Sequence, residues 1–274
     1  MEFVKGHGTE NDFVVLADPA GELELTPSRV RALCDRHRGL GADGVLRAVP
    51  GSAVLDAPLA TNPAEWFMDY RNADGTVAEM CGNGLRLFAR YLLEAGRVDT
   101  AEFYVGTRSG PRRVQVHDDG WVTVSMGAVQ RTRTSQVTVA GMSCTGLVVH
   151  VGNPHLACIT EVPVDQLDLT APPAYDPAVF PHGANVEFVN VVSSGTLRMR
   201  VHERGVGETR SCGTGTVAAV AATLHAAGRS TGESDVAVLG GRVHVAITEE
   251  SSTLSGPAVV VARGELDPSW WAHA

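Results

Sequence analysis

Cys81-Gly82-Asn83-Gly84 and Cys212-Gly213-Thr214-Gly215 are one phrase written twice, and each copy opens an apolar stretch with helical spacing. After the first copy, Leu85, Phe88, Ala89, Leu92 and Leu93 fall on one face, and Gly96 suits the position just past a helix end. After the second, Val217, Val220, Ala221 and Leu224 do likewise, with Gly228 as the stop. This second helix is so rich in Ala and Val that it is expected to be buried nearly all round. A single Cys-Gly-x-Gly at a helix start means little, since packing explains most such cases. A pair in equivalent places of two chain halves points to a duplicated fold.

The rest of each half follows the same order. Phe3 to Leu16 reads as strand, turn and strand around Asn11, and Gly146 to Ile159 reads the same way around Gly152-Asn153-Pro154-His155. Gly39 to Gly44 then precedes the strand Val45 to Val49, while Pro181 to Asn185 precedes Val186 to Val192, which matches Asp43 with Asn185. Trp66 to Arg71, ending at Asn72, matches Leu197 to His202, ending at Glu203. The interval from Met68 to Met199 equals that from Cys81 to Cys212, so strand, loop and cysteine keep register. In the first half, Thr26-Pro27 caps a further helix carrying Val30, Leu33, Cys34 and His37 on one face and ending near Gly39.

The expected fold is α+β and two-lobed: two pseudo-symmetric domains, each a mixed, largely antiparallel sheet wrapped around a central helix. The expected domains are residues 1–117, with 265–274 returning to them, and residues 118–264.

Composition narrows the function. The chain has 274 residues and a net charge of −9, without a basic run, which argues against a nucleic-acid partner. No apolar run approaches the roughly 18 residues needed to cross a bilayer, and no signal segment opens the chain, so no membrane association and a cytoplasmic location are expected. Lys5 is the sole lysine among 22 basic residues, which leaves one candidate for Schiff-base chemistry. Five cysteines, at 34, 81, 144, 158 and 212, form neither Cys-x-x-Cys spacing nor an even set, so no disulfide framework and no metal site are indicated. Cys34, Cys144 and Cys158 lie in apolar runs and read as structural.

A cysteine immediately before a helix sits where unpaired N–H groups and the positive end of the helix dipole favour an anion. That setting lowers a thiol pKa. The N–H groups of Gly82, Asn83, Gly213 and Thr214 are available to hold a carboxylate. With both helix starts facing one small carboxylate, one thiolate can remove an α-proton while the other thiol delivers a proton to the opposite face. That is epimerisation by two bases without a cofactor, and donors aimed at the developing enolate contribute about a hundredfold each.

Three motif groups resemble those of the diaminopimelate epimerase family over almost the whole chain. They run from Asn72-Ala73-Asp74-Gly75 through Glu79-Met80-Cys81-Gly82-Asn83-Gly84, then Gly152-Asn153-Pro154-His155, then Glu203-Arg204-Gly205-Val206-Gly207-Glu208-Thr209 through Cys212-Gly213-Thr214-Gly215. The resemblance implies interconversion of LL- and meso-diaminopimelate, on the route to lysine and peptidoglycan precursors, by a homodimer with the site between two lobes. It implies Cys81 as proton donor and Cys212 as acceptor, the roles exchanging on reversal, with His155 and Glu203 adjusting the thiol pKa values. It also implies substrate contacts from Asn11, Asn72, Gly82, Asn83, Asn153, Asn185, Glu203, Arg204, Gly213 and Thr214. A substrate with two amino-acid ends needs such partners, and Arg204 offers a fork for the distal carboxylate.

Taken alone, Asn72 and Asn153 also read as turn residues, Arg204 as a surface charge and His155 as a strand-edge histidine. Arg71 and Arg210 read as structural. Two departures stand out: Gly8-Thr9-Glu10-Asn11 where many members have Gly-Leu-Gly-Asn, and Gly44 where many have Gln. Two rival functions remain at this point, a proline or hydroxyproline racemase of the same kind and a non-catalytic thiol switch or binding protein. The proline-type enzymes tend to carry His where Asn83 stands and Asp where Glu203 stands.

Overall fold

A computed structural model of the chain describes residues 1–54 and 65–274. Two compact units form, one from Met1–Val124 with Pro257–Ala274 and the other from Ser125–Gly256. The breaks fall at 124/125 and 256/257, where the sequence reading has 117/118 and 264/265, so the second unit is shorter at both ends than expected.

The first unit contains β1 (Glu2–Gly8), β2 (Asn11–Ala17), α1 (Pro27–Cys34), β3 (Gly44–Pro50), β4 (Trp66–Asn72), α2 (Gly82–Glu94), β5 (Glu102–Gly106) and β6 (Arg112–Val116). Strand β7 (Trp121–Gly127) leads out of it. The second unit contains β8 (Gln130–Val139), β9 (Met142–His150), β10 (Pro154–Ile159), β11 (Ala174–Tyr175), β12 (Asn185–Ser193), β13 (Thr196–Glu203) and β14 (Gly207–Thr209). It continues with α3 (Gly213–Ala226), β15 (Gly232–Val238), β16 (Gly241–Ile247) and β17 (Ser252–Pro257). The chain then returns to the first unit with β18 (Val259–Glu265) and α4 (Pro268–His273).

Strand pairing makes the duplication explicit. In the first unit β1–β2 is antiparallel, β2–β3 parallel, β3–β4 antiparallel, β4–β5 parallel and β5–β6 antiparallel. In the second, β9–β10, β10–β12, β12–β13, β13–β15 and β15–β16 repeat that series of directions. Most pairings are antiparallel, and each sheet packs on its own helix: α2 meets β1, β2, β3, β6 and β18, and α3 meets β9, β10, β12, β13, β15 and β16.

Both helices end alike. Gly96 (φ 61°) and Gly228 (φ 69°) take the left-handed conformation, and the next residues donate back from Arg97 N to Leu92 O and from Arg229 N to Leu224 O, at 2.9 and 2.8 Å. Leu85, Phe88, Ala89 and Leu92 are fully buried, as are Val217, Val220 and Ala221, which anchors each helix in its own core.

Two local expectations are corrected. Helix α1 stops at Cys34 instead of near Gly39, because Asp35 leaves the helical region (ψ 120°) and its carboxylate accepts from His37 N and Arg38 N, both at 2.9 Å. An aspartate that caps the following turn ends a helix that apolar spacing alone would prolong. The match of Asp43 with Asn185 is one residue out. Phe13 pairs with Gly44 and His155 with Asn185, so the counterpart of Asn185 is Gly44. A Cβ on Gly44 would stand 2.6 Å from Arg71 O, so the backbone approach itself excludes a side chain there.

Candidate active site

Cys81 and Cys212 are the N-cap residues of α2 and α3, with nearly the same backbone conformation: φ −136°, ψ 121° and φ −125°, ψ 115°. The extended cap turns the first N–H groups of each helix outward, where an anion satisfies them. None of the five cysteines is in a disulfide.

In the first unit, Gly84 N donates to Cys81 Sγ at 3.4 Å, and the thiol reaches Asn11 Oδ1 at 3.5 Å. Asn11 is held by donation from Nδ2 to Asp43 Oδ2 at 2.8 Å, and it also accepts from Asn83 Nδ2 at 3.4 Å. Asn11, Asn83 and Cys81 therefore form one cluster. Asn72 is engaged differently, donating to Thr76 Oγ1 at 3.0 Å in the turn closed by Gly75 (φ 90°).

Sequence reading missed a residue here. Arg86 is fully buried in the first turns of α2, although the apolar face read from spacing does not include it. Its Nη2 donates to Thr9 Oγ1 at 3.0 Å and its Nε to Pro257 O at 3.4 Å, while Nη1 finds no hydrogen-bond partner among the described residues. Thr9 Oγ1 in turn lies 3.5 Å from Asn83 Oδ1. Gly8 makes room for this arrangement, since a Cβ there would meet Asn83 O at 2.7 Å and Arg86 Nη2 at 3.0 Å. The signal available in the sequence was a lone arginine in an otherwise apolar turn, at the repeat position of Val217.

In the second unit the expected residues converge more fully. His155 is fully buried; its Nε2 meets Asn153 Oδ1 at 2.8 Å and its Nδ1 meets Glu187 Oε1 at 2.7 Å. Asn185 accepts from Arg204 N at 3.0 Å. The Arg204 side chain lies along Gly183 and donates to His182 O at 3.2 Å. Glu203 accepts from the Thr209 hydroxyl and is in hydrogen-bond contact with the Cys212 thiol. Cys212 Sγ also lies 3.6 Å from Thr214 Oγ1.

Burial pushes the Cys212 thiol well above its ordinary pKa, and the Glu203 and Glu187 carboxylates push it further the same way. Burial likewise raises Glu203, against hydrogen bonds from Thr209 and Cys212. Glu187 is the second residue the sequence reading missed: it is fully buried, with Oε2 unpartnered among the described residues. Its place in an alternating apolar strand gave the one hint, a charge where Val186 and Phe188 point to a sandwiched core.

Arg71 pairs with buried Asp69 at 2.9 Å, and Arg210 donates to Leu239 O at 3.1 Å. Cys34 and Cys158 are buried in apolar clusters. Among the described residues no group of three or more His, Cys, Asp or Glu is arranged to hold a metal, and no helix is long and apolar enough to cross a membrane.

The likeness to known proteins spans the molecule. Solved structures with the same fold include a Bacillus anthracis phenazine biosynthesis protein of the PhzF family, 15% identical, with a TM-score of 0.70 over 97% of this chain and 98% of that one. An Agrobacterium vitis hydroxyproline epimerase is 16% identical, with a TM-score of 0.68 over 99% of this chain and 94% of that one. In sequence, the chain is 54% identical to the diaminopimelate epimerase of Rhodococcus jostii (strain RHA1), over 99% of both chains. It is 53% identical to that of Mycolicibacterium smegmatis, over 100% of this chain and 99% of that one. The diaminopimelate epimerase family model matches residues 3–132 and 147–266, and the chain belongs to that family.

Proposed function

We propose that the protein interconverts LL- and meso-diaminopimelate by a cofactor-independent, two-thiol proton transfer, in lysine and peptidoglycan precursor synthesis. The observation that carries this reading is the duplicated helix start. Two cysteines share one backbone conformation and one cap position in a chain whose full-length relatives are named as diaminopimelate epimerases. Cys81 and Cys212 are the catalytic residues; one as thiolate takes the α-proton, the electron pair passes into the carboxylate, and the other as thiol returns a proton to the opposite face. The N–H groups of Gly82, Asn83, Gly213 and Thr214 hold the carboxylate as it gains charge. Asn11, Asn72, Asn153, Asn185, Glu203 and Arg204 hold the remaining polar groups of the substrate, and His155 and Glu203 tune the thiols.

The working protein is a cytoplasmic homodimer without nucleic-acid or membrane partners. In support of a dimer, β18 pairs with β1 along one edge and leaves Val259 and Val261 exposed, and such an edge invites pairing with a second chain.

The test is LL-diaminopimelate in deuterium oxide. Meso product with deuterium at one α-carbon is expected, and Cys81→Ala and Cys212→Ala should each lose at least about a thousandfold in turnover. Turnover of proline in place of diaminopimelate would overturn the assignment.

A further inference from the structure

The helix starts beneath the two thiols are matched in backbone and opposed in charge. Strand register makes Phe13 the counterpart of His155 and Leu46 the counterpart of Glu187. A Cβ on Gly84 would meet Leu46 Cδ2 and Phe13 Cζ, each at 3.3 Å, whereas one on Gly215 would meet Glu187 Oε1 at 2.6 Å. The first turn of α2 thus rests on two apolar side chains, and that of α3 on a carboxylate. Along the helices the contrast reverses: Arg86 in α2 stands where α3 has Val217, and both are fully buried.

The helix dipole acts alike on both cysteines, so it cannot by itself decide which one carries the charge, although Cys81 Sγ accepts from Gly84 N and Cys212 has no matching side-chain cap bond. The side chains can. A guanidinium removed from water without a carboxylate costs several kcal/mol unless an anion comes to it. Arg86 has a hydroxyl and a carbonyl as acceptors and an Nη1 with no partner among the described residues. Burial lowers its pKa to about 10, which leaves it protonated at neutral pH, and the opposing charge that acts on it is Cys81.

Most other charges on the elements packed around Cys81 and Arg86 are engaged with one another; the exception is Arg112 on β6, which donates to Ser109 O and has an Nε without a partner among the described residues. Lys5 and Arg36 pair with Asp12, Arg36 also pairs with Asp43, and His7 accepts from Glu10 N. Around Cys212 the acting charges are Glu203 and Glu187, with His155 on Glu187. Arg200 is paired with Glu208, and Arg204 lies along Gly183.

We propose that Arg86 is a positioning residue that holds Cys81 as the base of the resting enzyme, and that Glu187, on its His155 partner, holds Cys212 as the acid, the opposite of the donor and acceptor order that the family resemblance implies. This rests on the epimerase reading above. In the first half-turn the α-proton passes to Cys81 Sγ, the C–H electron pair enters the carboxylate, and the Cys212 proton forms the new C–H bond. The enzyme is left with a Cys81 thiol and a Cys212 thiolate, and exchange with water restores the resting form. The Cys81 thiolate keeps the Gly84 N–H, and the thiol formed by turnover donates to Asn11 Oδ1.

The experiment is alkylation of the substrate-free, full-length protein by iodoacetamide across a pH series, with the Cys81 and Cys212 peptides quantified separately by mass spectrometry. The pH midpoint reports ionisation independently of access to the thiol. In the unmodified protein Cys81 is expected to have the lower midpoint. Arg86→Met should raise that midpoint by about one pH unit, a tenfold loss of alkylation rate below it, while Arg86→Lys keeps it near the original value. Glu187→Gln should lower the midpoint of Cys212.

Coincident or reversed midpoints in the unmodified protein overturn the proposal, and so does a folded Arg86→Met with an unchanged Cys81 midpoint. Should Arg86→Met fail to fold, the order of midpoints and the Glu187→Gln shift decide the matter. Ordered midpoints in a protein without diaminopimelate turnover would sink the functional reading and leave this polarity standing.

Discussion

The carboxylate of Glu187 occupies the space that a side chain at Gly215 would need, with Oε1 2.6 Å from the position of a Cβ. Glycine inside a helix is about 1 kcal/mol worse than alanine, so Gly215→Ala would stabilise α3 if nothing opposed it. Crowding a buried, hydrogen-bonded carboxylate costs about 1–3 kcal/mol and wins. Urea unfolding should show Gly215→Ala about 1–2 kcal/mol less stable than the parent. Gly84→Ala meets only the ends of Leu46 and Phe13 and should lie near neutral. A larger loss for Gly84→Ala than for Gly215→Ala would contradict this account.

The turn between β1 and β2 places Thr9 at φ 49° and Glu10 at φ 62°, as a two-residue hairpin of the primed type demands. Each side chain there costs about 1–2 kcal/mol relative to glycine, against about 0.5–1 kcal/mol that glycine loses in chain entropy. Thr9 is held by its bond from Arg86, whereas Glu10 is exposed. Glu10→Gly should therefore raise the melting temperature by about 1–3 °C, measured by calorimetry. A fall would show that Glu10 makes contacts worth more than its strain.

Burial pushes the Cys34 thiol from 9.0 up to about 12. A folded pKa above the unfolded one means that the unfolded chain loses its proton first, so this contribution is full below about pH 9 and declines as pH rises towards 12. Its slope is about 1.4 kcal/mol per pH unit within that window. Cys34→Ala removes the titration along with some packing. The stability difference between parent and variant should shrink by about 1 kcal/mol from pH 9 to pH 10, and a constant difference would mean that Cys34 ionises in the folded state.

Arg204 presents a planar guanidinium whose stem lies against Gly183, and Gly183 has no room for a Cβ, which would stand 2.9 Å from Arg204 Cδ. A lysine carries a point charge on a different stem and cannot form two parallel bonds to a carboxylate. Arg204→Lys should raise KM for diaminopimelate about tenfold with a smaller change in kcat, read from steady-state kinetics. An unchanged KM would remove Arg204 from the distal carboxylate.

Much of this molecule was legible from local patterns. Helices α2 and α3, their cysteine caps and their glycine stops follow from period and punctuation, and the repeat follows from the order of matched blocks. Two errors have local causes. The carboxylate of Asp35 ended α1 a turn early, and loops of different length hid the pairing of Asn185 with the Gly44 position. Asn72 is a substrate contact by the family resemblance and a turn residue when read alone, and its bond to Thr76 accounts for the turn.

The sequence by itself determined the duplicated α+β fold, the two cap cysteines and the family, because periodicity, capping and motif spacing are properties of neighbouring residues. The tertiary structure alone decided that Arg86 is buried beside the Cys81 cluster and that Glu187 lies under Gly215. Those facts depend on residues from separate strands meeting in a space without water, where a charge must find its partner. The same apolar spacing that places a helix face says nothing about which polar group that face encloses. The repeat made two equal helix starts, and packing made them electrically unequal.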